Sequence, residues 1–219
     1  MRNMLKDPCI VVGCPRNRTS LVMQILHICG ANLGKVIGQT KANPYGAGQL
    51  ENRAIVDQVQ KPWLKKHGFD PKGQYPLPPP DFAEVDPQRR SQVERILQEQ
   101  GFITERPFFK QLKATLDWVA WDYSFPEATW IIVRRNDESV INSCMSPKAP
   151  FMSAFNTVKD WQWWIDEHKT RLDQIKNYCH SVYEIDTDKI VDEDLSQVEP
   201  VIEELNLTWK PKDIRQNLA

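Results

Sequence analysis

The chain has 219 residues and a mass of 25.5 kDa, enough for one large domain that buries its own core. Charged residues make up 26% and the apolar set 41%, which excludes disorder as the dominant state. With 28 basic against 29 acidic residues, no global basic field exists to hold nucleic acid or an anionic membrane, so an anion site must be built locally.

Cys9–Gly13 (CIVVG) is a short apolar, β-branched run that predicts a buried parallel strand. A polar turn over Cys14–Arg18 follows, and Thr19–Cys29 carries apolar residues at helical spacing up to Gly30, a C-terminal stop. Ala31–Gln49 reads as loop. A helix is expected from Leu50 to about Gln60, with Pro62 as kink or stop. Asp70–Pro87 holds six of the 16 prolines and predicts an extended loop that could act as a lid or contact substrate. Asp86 and Pro87 then start a helix that ends at Gly101. Phe102–Glu105 is expected as a strand, Leu112–Tyr123 as a helix, and Thr129–Val133 (TWIIV) as a second buried strand followed by a helix from about Glu138. A long amphipathic helix over Ser153–Tyr178, a strand over Val182–Ile185, a helix over Leu195–Leu205 and a polar tail complete the chain. Strands that alternate with helices predict a three-layer α/β/α sandwich with a mainly parallel sheet.

The five cysteines form no C-x-x-C pair and no zinc spacing, which fits free thiols in a reducing compartment. Met1–Pro8 is short and polar for a signal peptide, and no apolar run reaches the length of a membrane span. A soluble, cytoplasmic protein without membrane or nucleic-acid partners is expected.

In parallel sheets, ligands bind at the carboxyl ends of the strands. The first such end is Gly13-Cys14-Pro15-Arg16-Asn17-Arg18-Thr19-Ser20. Backbone N–H groups at a helix start form an anion cradle, to which Thr19 and Ser20 add hydroxyls and Arg16 and Arg18 add charge. The G-x-x-x-x-G-K-[ST] loop of nucleoside-triphosphate enzymes is absent, and no acidic strand end stands out to hold magnesium. A phosphate-like anion handled without metal is the implied chemistry, against the plain alternative of a βα turn with surface arginines. The second end is Arg134-Arg135-Asn136 with Ser139 and Ser143 beyond. Successive strand residues face opposite ways, so only one of the two arginines can serve a given ligand unless the strand has ended. Arg135 and Ser143 could close on a second phosphate.

The two motifs in this order resemble the family of sulfotransferases that use 3′-phosphoadenosine 5′-phosphosulfate (PAPS). Gly13 to Leu21 is similar to the family's G-x-P-[RK]-S-G-T-[ST]-L after the first strand. Arg135, Asn136 and Ser143 are similar to its R-[ND]-P-x-x-[VA]-x-x-S. Asn43-Pro44-Tyr45-Gly46 before Glu51-Asn52-Arg53 resembles a stretch of the bacterial and carbohydrate-type branch, and Phe125-Pro126-Glu127-Ala128 and Val182-Tyr183-Glu184 resemble later family segments. Arg18 replaces the loop glycine, Asn17 its serine and Asp137 the proline of the second motif. The late G-x-x-G-x-x-K loop of the small-molecule branch is absent.

The resemblance implies a single P-loop-like domain over residues 1–219, with the Pro-rich loop 70–87 inside it and a bacterial or viral source. It implies PAPS as co-substrate, no required metal, and sulfuryl transfer by in-line displacement to a hydroxyl of a carbohydrate or small metabolite. PAPS contacts are expected from Gly13, Pro15, Arg16, Asn17, Arg18, Thr19, Ser20, Arg135 and Ser143. Arg16 would neutralise the leaving group and Glu51 would be the base, although a glutamate at a helix start is also favoured by the dipole alone. Lys110 is a candidate contact for the sulfonate or the acceptor, and Tyr75 for the acceptor. His27 reads as a packed core or groove histidine, and His67, His168 and His180 as surface positions. Trp161, Trp163 and Trp164 read first as core. Eight tryptophans leave room for a homodimer face. Two alternatives stand beside transfer: a non-catalytic module that binds the nucleotide or a sulfated ligand on the same fold, and an ATP-dependent P-loop kinase.

Overall fold

In the computed structural model, which describes residues 5–38, 49–146 and 155–218, the unbroken apolar run Cys9–Gly13 becomes the inner strand β1. It lies between β2 (Phe108–Lys110) and β3 (Thr129–Arg134), and β4 (Ser181–Asp186) flanks β3, so the sheet order is β2-β1-β3-β4. All three pairings are parallel, with Cys9 opposite Phe108 and Thr129, and Thr129 opposite Ser181. The carboxyl ends of the strands therefore share one edge, where Gly13, Lys110, Arg134 and Asp186 stand.

Alternation along the strands divides the core into two layers. Cys9, Val11, Ile131, Val133 and Ile185 pack with α1 (Thr19–Ile28) and with the C-terminal helices α8 (Thr187–Val191), α9 (Glu199–Glu204) and α10 (Pro211–Leu218). Ile10, Val12, Phe109, Trp130 and Ile132 face α4 (Arg89–Glu99), α5 (Trp118–Ser124) and α7 (Val158–Tyr178). This is the expected α/β/α layering. A third apolar cluster joins Cys14 of the first loop to Val140, Ile141 and Cys144 of α6 (Asp137–Met145) and to Trp161, Trp164 and Ile165 of α7. Trp161 and Trp164 are thus core, while Trp163 is partly exposed.

Several boundaries differ from expectation for identifiable reasons. The edge strand is Phe108–Lys110 and not Phe102–Glu105, because Cys9, Ile10 and Val11 offer their open side to that triplet; Ile103 is exposed. The stretch Leu112–Tyr123 splits into a 3₁₀ turn (Leu112–Thr115) and α5, since Asp117 turns inward. There its buried carboxylate meets Arg89 at 2.8 Å and Gln60 at 3.0 Å, and the Arg89 guanidinium stacks on Trp63 and Trp121. Helix begins only at Arg53, capped by the Asn52 side chain, in the short α2 (Arg53–Ile55). Pro62 does not stop it: a π turn over Val56–Gln60 widens the backbone ahead of α3 (Lys61–Lys66), where a proline would otherwise clash. The helix expected from Ser153 begins at Val158, fixed by a reciprocal Thr157–Asp160 capping box. The helix expected over Leu195–Leu205 is limited to Glu199–Glu204, and the tail forms α10.

Candidate functional site

Gly13 ends β1 where only glycine fits: a Cβ there would meet the Val133 carbonyl oxygen at 2.8 Å and Thr19 Cγ2 at 3.1 Å. That close approach of β1 to β3 places the loop 14–18 directly against the end of β3. Asn17 is buried and donates from Nδ2 to the Val133 carbonyl at 2.9 Å, which anchors the loop. Its Oδ1 has no hydrogen-bond partner among the described residues. Arg16 and Arg18 both have positive φ, 75° and 58°. For Arg18 this is the left-handed conformation that favours glycine, the residue the family motif carries there; holding an arginine in it costs about 1–2 kcal/mol.

Arg18 is also the N-cap of α1, and no side chain caps that helix. Thr19 and Ser20 of that first turn line the cleft, and the helix start has no side-chain cap, the condition under which it can receive an anion.

The two sequence motifs meet here. Arg16 Nε donates to Ser143 Oγ at 2.9 Å, and Arg135 Nη1 donates to the Arg16 carbonyl at 3.0 Å. Arg134 points away, held by Glu184 and Asp173, so the strand alternation separates the arginines as expected. Asp137, in place of the motif's proline, begins α6 and ties it to Lys169 of α7, while Asn136 caps the helix through Ser139 N.

Asp188, at the start of α8, is an acidic group beyond a strand end that sequence reasoning missed. It accepts from Arg18 Nη1 at 2.6 Å and from the Asn136 amide at 2.8 Å, and lies 3.7 Å from Arg135 Nε. The signal for it was Asp186-Thr187-Asp188, a capping pattern after β4 in which the Asp186 side chain receives the Asp188 amide. Burial, and after it the charge of Arg18, hold the Arg135 guanidinium below its ordinary pKa. Arg18 and Arg135 thus share one carboxylate, and Arg16, bonded to Ser143, adds a third positive charge to the same loop cluster, an arrangement that favours a further anion.

A second cluster lies on the β2 side. Glu51 is buried and forms a parallel bridge with Lys110. Lys110 Nζ is 3.9 Å from Glu51 Oε1 and donates to Ser20 Oγ at 3.1 Å, and Ser20 Oγ donates to the Gln49 carbonyl. Lys113, which sequence reasoning passed over, is 3.8 Å from the other Glu51 oxygen. Burial lowers the Lys110 ammonium to about 8; Glu51 opposes that shift and Lys113 adds to it.

Both clusters line one cleft of about 830 Å³, together with Pro15 and Thr19. His168, expected at the surface, is buried and lines it too. Its Nδ1 must donate to the Trp164 carbonyl at 2.8 Å, which leaves Nε2 as an acceptor, and burial lowers its pKa to about 4. Tyr75 does not line this cleft: it is largely exposed, its ring 6.2 Å from Trp163 and 6.3 Å from Phe155. Asn43-Pro44-Tyr45-Gly46 lies outside the described residues. Among those described, no group of three or more His, Cys, Asp or Glu side chains is placed to hold a metal, and no helix is long and apolar enough to cross a membrane.

No protein-family model matches the chain, and no curated protein matches it by sequence. Solved structures do. A sulfotransferase of Mycobacterium avium superposes with a TM-score of 0.58 at 12% identity, covering 98% of this chain and 68% of its own. A Mycobacterium tuberculosis sulfotransferase gives 0.53 at 14% identity, covering 99% and 71%. The sulfotransferase domain from the curacin biosynthetic pathway gives 0.55 at 11% identity, covering 95% and 77%. The chain has the sulfotransferase fold.

Proposed function

We propose that the protein is a PAPS-dependent sulfotransferase whose acceptor is a hydroxyl of a carbohydrate or small metabolite. The observation that carries this reading is the contact between the motifs: Arg16 on Ser143, and Arg135 on the Arg16 carbonyl, at the mouth of an uncapped helix start. The donor set fits a nucleotide with two separated anionic groups. Thr19, Ser20 and the α1 amides would hold the 5′ group, with Gly13 behind them letting the loop pack against β3, and Arg135, Ser143 and Arg16 would hold the 3′ phosphate. Arg18 is taken up by Asp188 and contributes through it. When bound, PAPS supplies an activated sulfuryl group.

The rest is the work of this chain's own residues. Glu51, held between two ammonium groups at the cleft wall, receives the proton of the acceptor hydroxyl. Lys110, hydrogen-bonded to Ser20 at the cleft wall, would be the cation for the negative charge that builds on the bridging oxygen. That charge builds as the acceptor oxygen bonds to sulfur, the sulfur–oxygen bond to the 5′-phosphate breaks and 3′,5′-adenosine diphosphate leaves. Arg16 is directed to Ser143. Glu51→Gln tests this assignment with labelled PAPS: transfer should fall about 10²–10⁴-fold while binding of 3′,5′-adenosine diphosphate persists. Transfer that survives the substitution would remove Glu51 as the base.

One observation favours a binding module without transfer: Asp188 already occupies Arg18 and approaches Arg135. Nucleotide binding without turnover over a broad panel of acceptors would select that reading.

A further inference from the structure

Besides Lys110 and the arginines of the two motifs, the cleft is lined by four further cations, Arg53, Lys61, Lys72 and Lys113, and among its described lining residues Asp57 is the one carboxylate besides Glu51. Asp57 is taken by Lys61 at 2.7 Å, and Glu51 is shared between Lys110 and Lys113. Arg53 and Lys72 form no ion pair among the described residues. Residues 39–48 and 147–154 contain no Asp or Glu that could supply one. Asp70 forms no ion pair with its neighbour Lys72 among the described residues; its two oxygens accept the amides of Lys72 and Gln74 and so hold the turn that presents Lys72 and Gly73 to the cleft. Val56, Leu112 and Leu116 supply apolar wall to the same cleft. In a chain of net charge −1, cations that line a cleft without an ion-pair partner create a field for a ligand with its own negative charge.

We infer that the acceptor is an anionic hydroxyl compound, a carboxylated or already sulfated sugar or metabolite whose charged group is drawn by Arg53 and Lys72 of the cleft lining. This rests on the sulfotransferase reading for its chemistry, but the cation pair makes a claim that can fail separately. Binding of 4-nitrophenyl β-D-glucuronide, the matching 6-sulfo-glucoside and the neutral glucoside would be compared by calorimetry, with and without 3′,5′-adenosine diphosphate.

The two charged probes should bind about fivefold or more tightly than the neutral one at low salt, and the advantage should shrink as salt rises. The relative strength of the two charged probes tells carboxylate from sulfate ester. In the double variant R53E/K72E the preference should vanish or reverse, with the diphosphate affinity unchanged. The milder K72Q, at an exposed position, should halve the preference or more without a change in the melting curve. Equal binding of all three probes, no binding of any, or a preference that survives R53E/K72E would overturn the inference. Absent diphosphate binding with the anion preference intact would instead overturn the sulfotransferase reading and leave the anionic cleft standing.

Discussion

Lys110 is an ammonium enclosed at the end of β2, and its burial has a measurable consequence. Burial brings its pKa down to about 8 from the ordinary 10.5, so keeping the charged form costs the fold about 3 kcal/mol. The unfolded chain keeps that proton up to pH 10.5, whereas the folded chain releases it above 8. Stability should therefore rise with pH between those values, and the cost is fully present below pH 8. Lys110→Met keeps the length of the side chain and removes the charge, but also takes from Glu51 one of its two cationic neighbours. Allowing for that loss, the variant should gain about 1–3 kcal/mol at pH 7, a Tm rise of roughly 3–10 °C for a chain of this size. Thermal or urea melts of both proteins from pH 6 to 10.5 would show the gap closing as pH rises. A destabilised variant at pH 7, or a gap independent of pH, would refute the reasoning. If Lys110 has the role proposed for it, the same variant should also lose transfer, with stability and catalysis opposed at this residue.

Gly13→Ala should drive its Cβ into the Val133 carbonyl, cost about 1–3 kcal/mol and lower Tm by about 2–10 °C; calorimetry should show diphosphate affinity falling with it, and an unchanged Tm would contradict the packing described. His168 is neutral when folded down to about pH 4 but protonates near 6.5 when unfolded, so its contribution is present above 6.5 and is lost as pH falls toward 4. Acid melts of His168→Gln should be flatter over that interval than those of the parent chain, by up to about 3 kcal/mol. Parallel acid limbs would mean that the imidazole is not as enclosed as the Trp164 contact implies.

The frame of the molecule could be read from residues whose pattern has one physical outcome. CIVVG and TWIIV have no polar face and can only be inner strands, and the residues just after them had to stand at the ligand edge. Arg16, Arg135 and Ser143 were legible for the same reason, as their positions follow from strand ends and helix spacing. What escaped depends on contacts remote in sequence. Phe108–Lys110 is too short to announce itself and becomes a strand because β1 leaves that side open. Asp117 breaks a helical pattern to reach Arg89, 28 residues away, and Asp188 and Lys113 enter the site only once β4 and β2 lie in register beside β1. His168 sits in a polar stretch of a long helix, and the cleft side of that helix is set by Trp161 and Trp164 packing under the first loop.

The central claim is that two motifs 116 residues apart, joined by the bond from Asn17 to Val133 and by Arg16 on Ser143, form one nucleotide site. A metal-free calorimetric titration with 3′,5′-adenosine diphosphate, run beside ATP with magnesium, tests it most directly. The account predicts binding of the diphosphate without metal, weakened about 10–100-fold in Arg135→Ala and measurably in Ser143→Ala, as expected for loss of charge-assisted phosphate contacts. Binding of magnesium ATP alone, or of neither nucleotide, would contradict it.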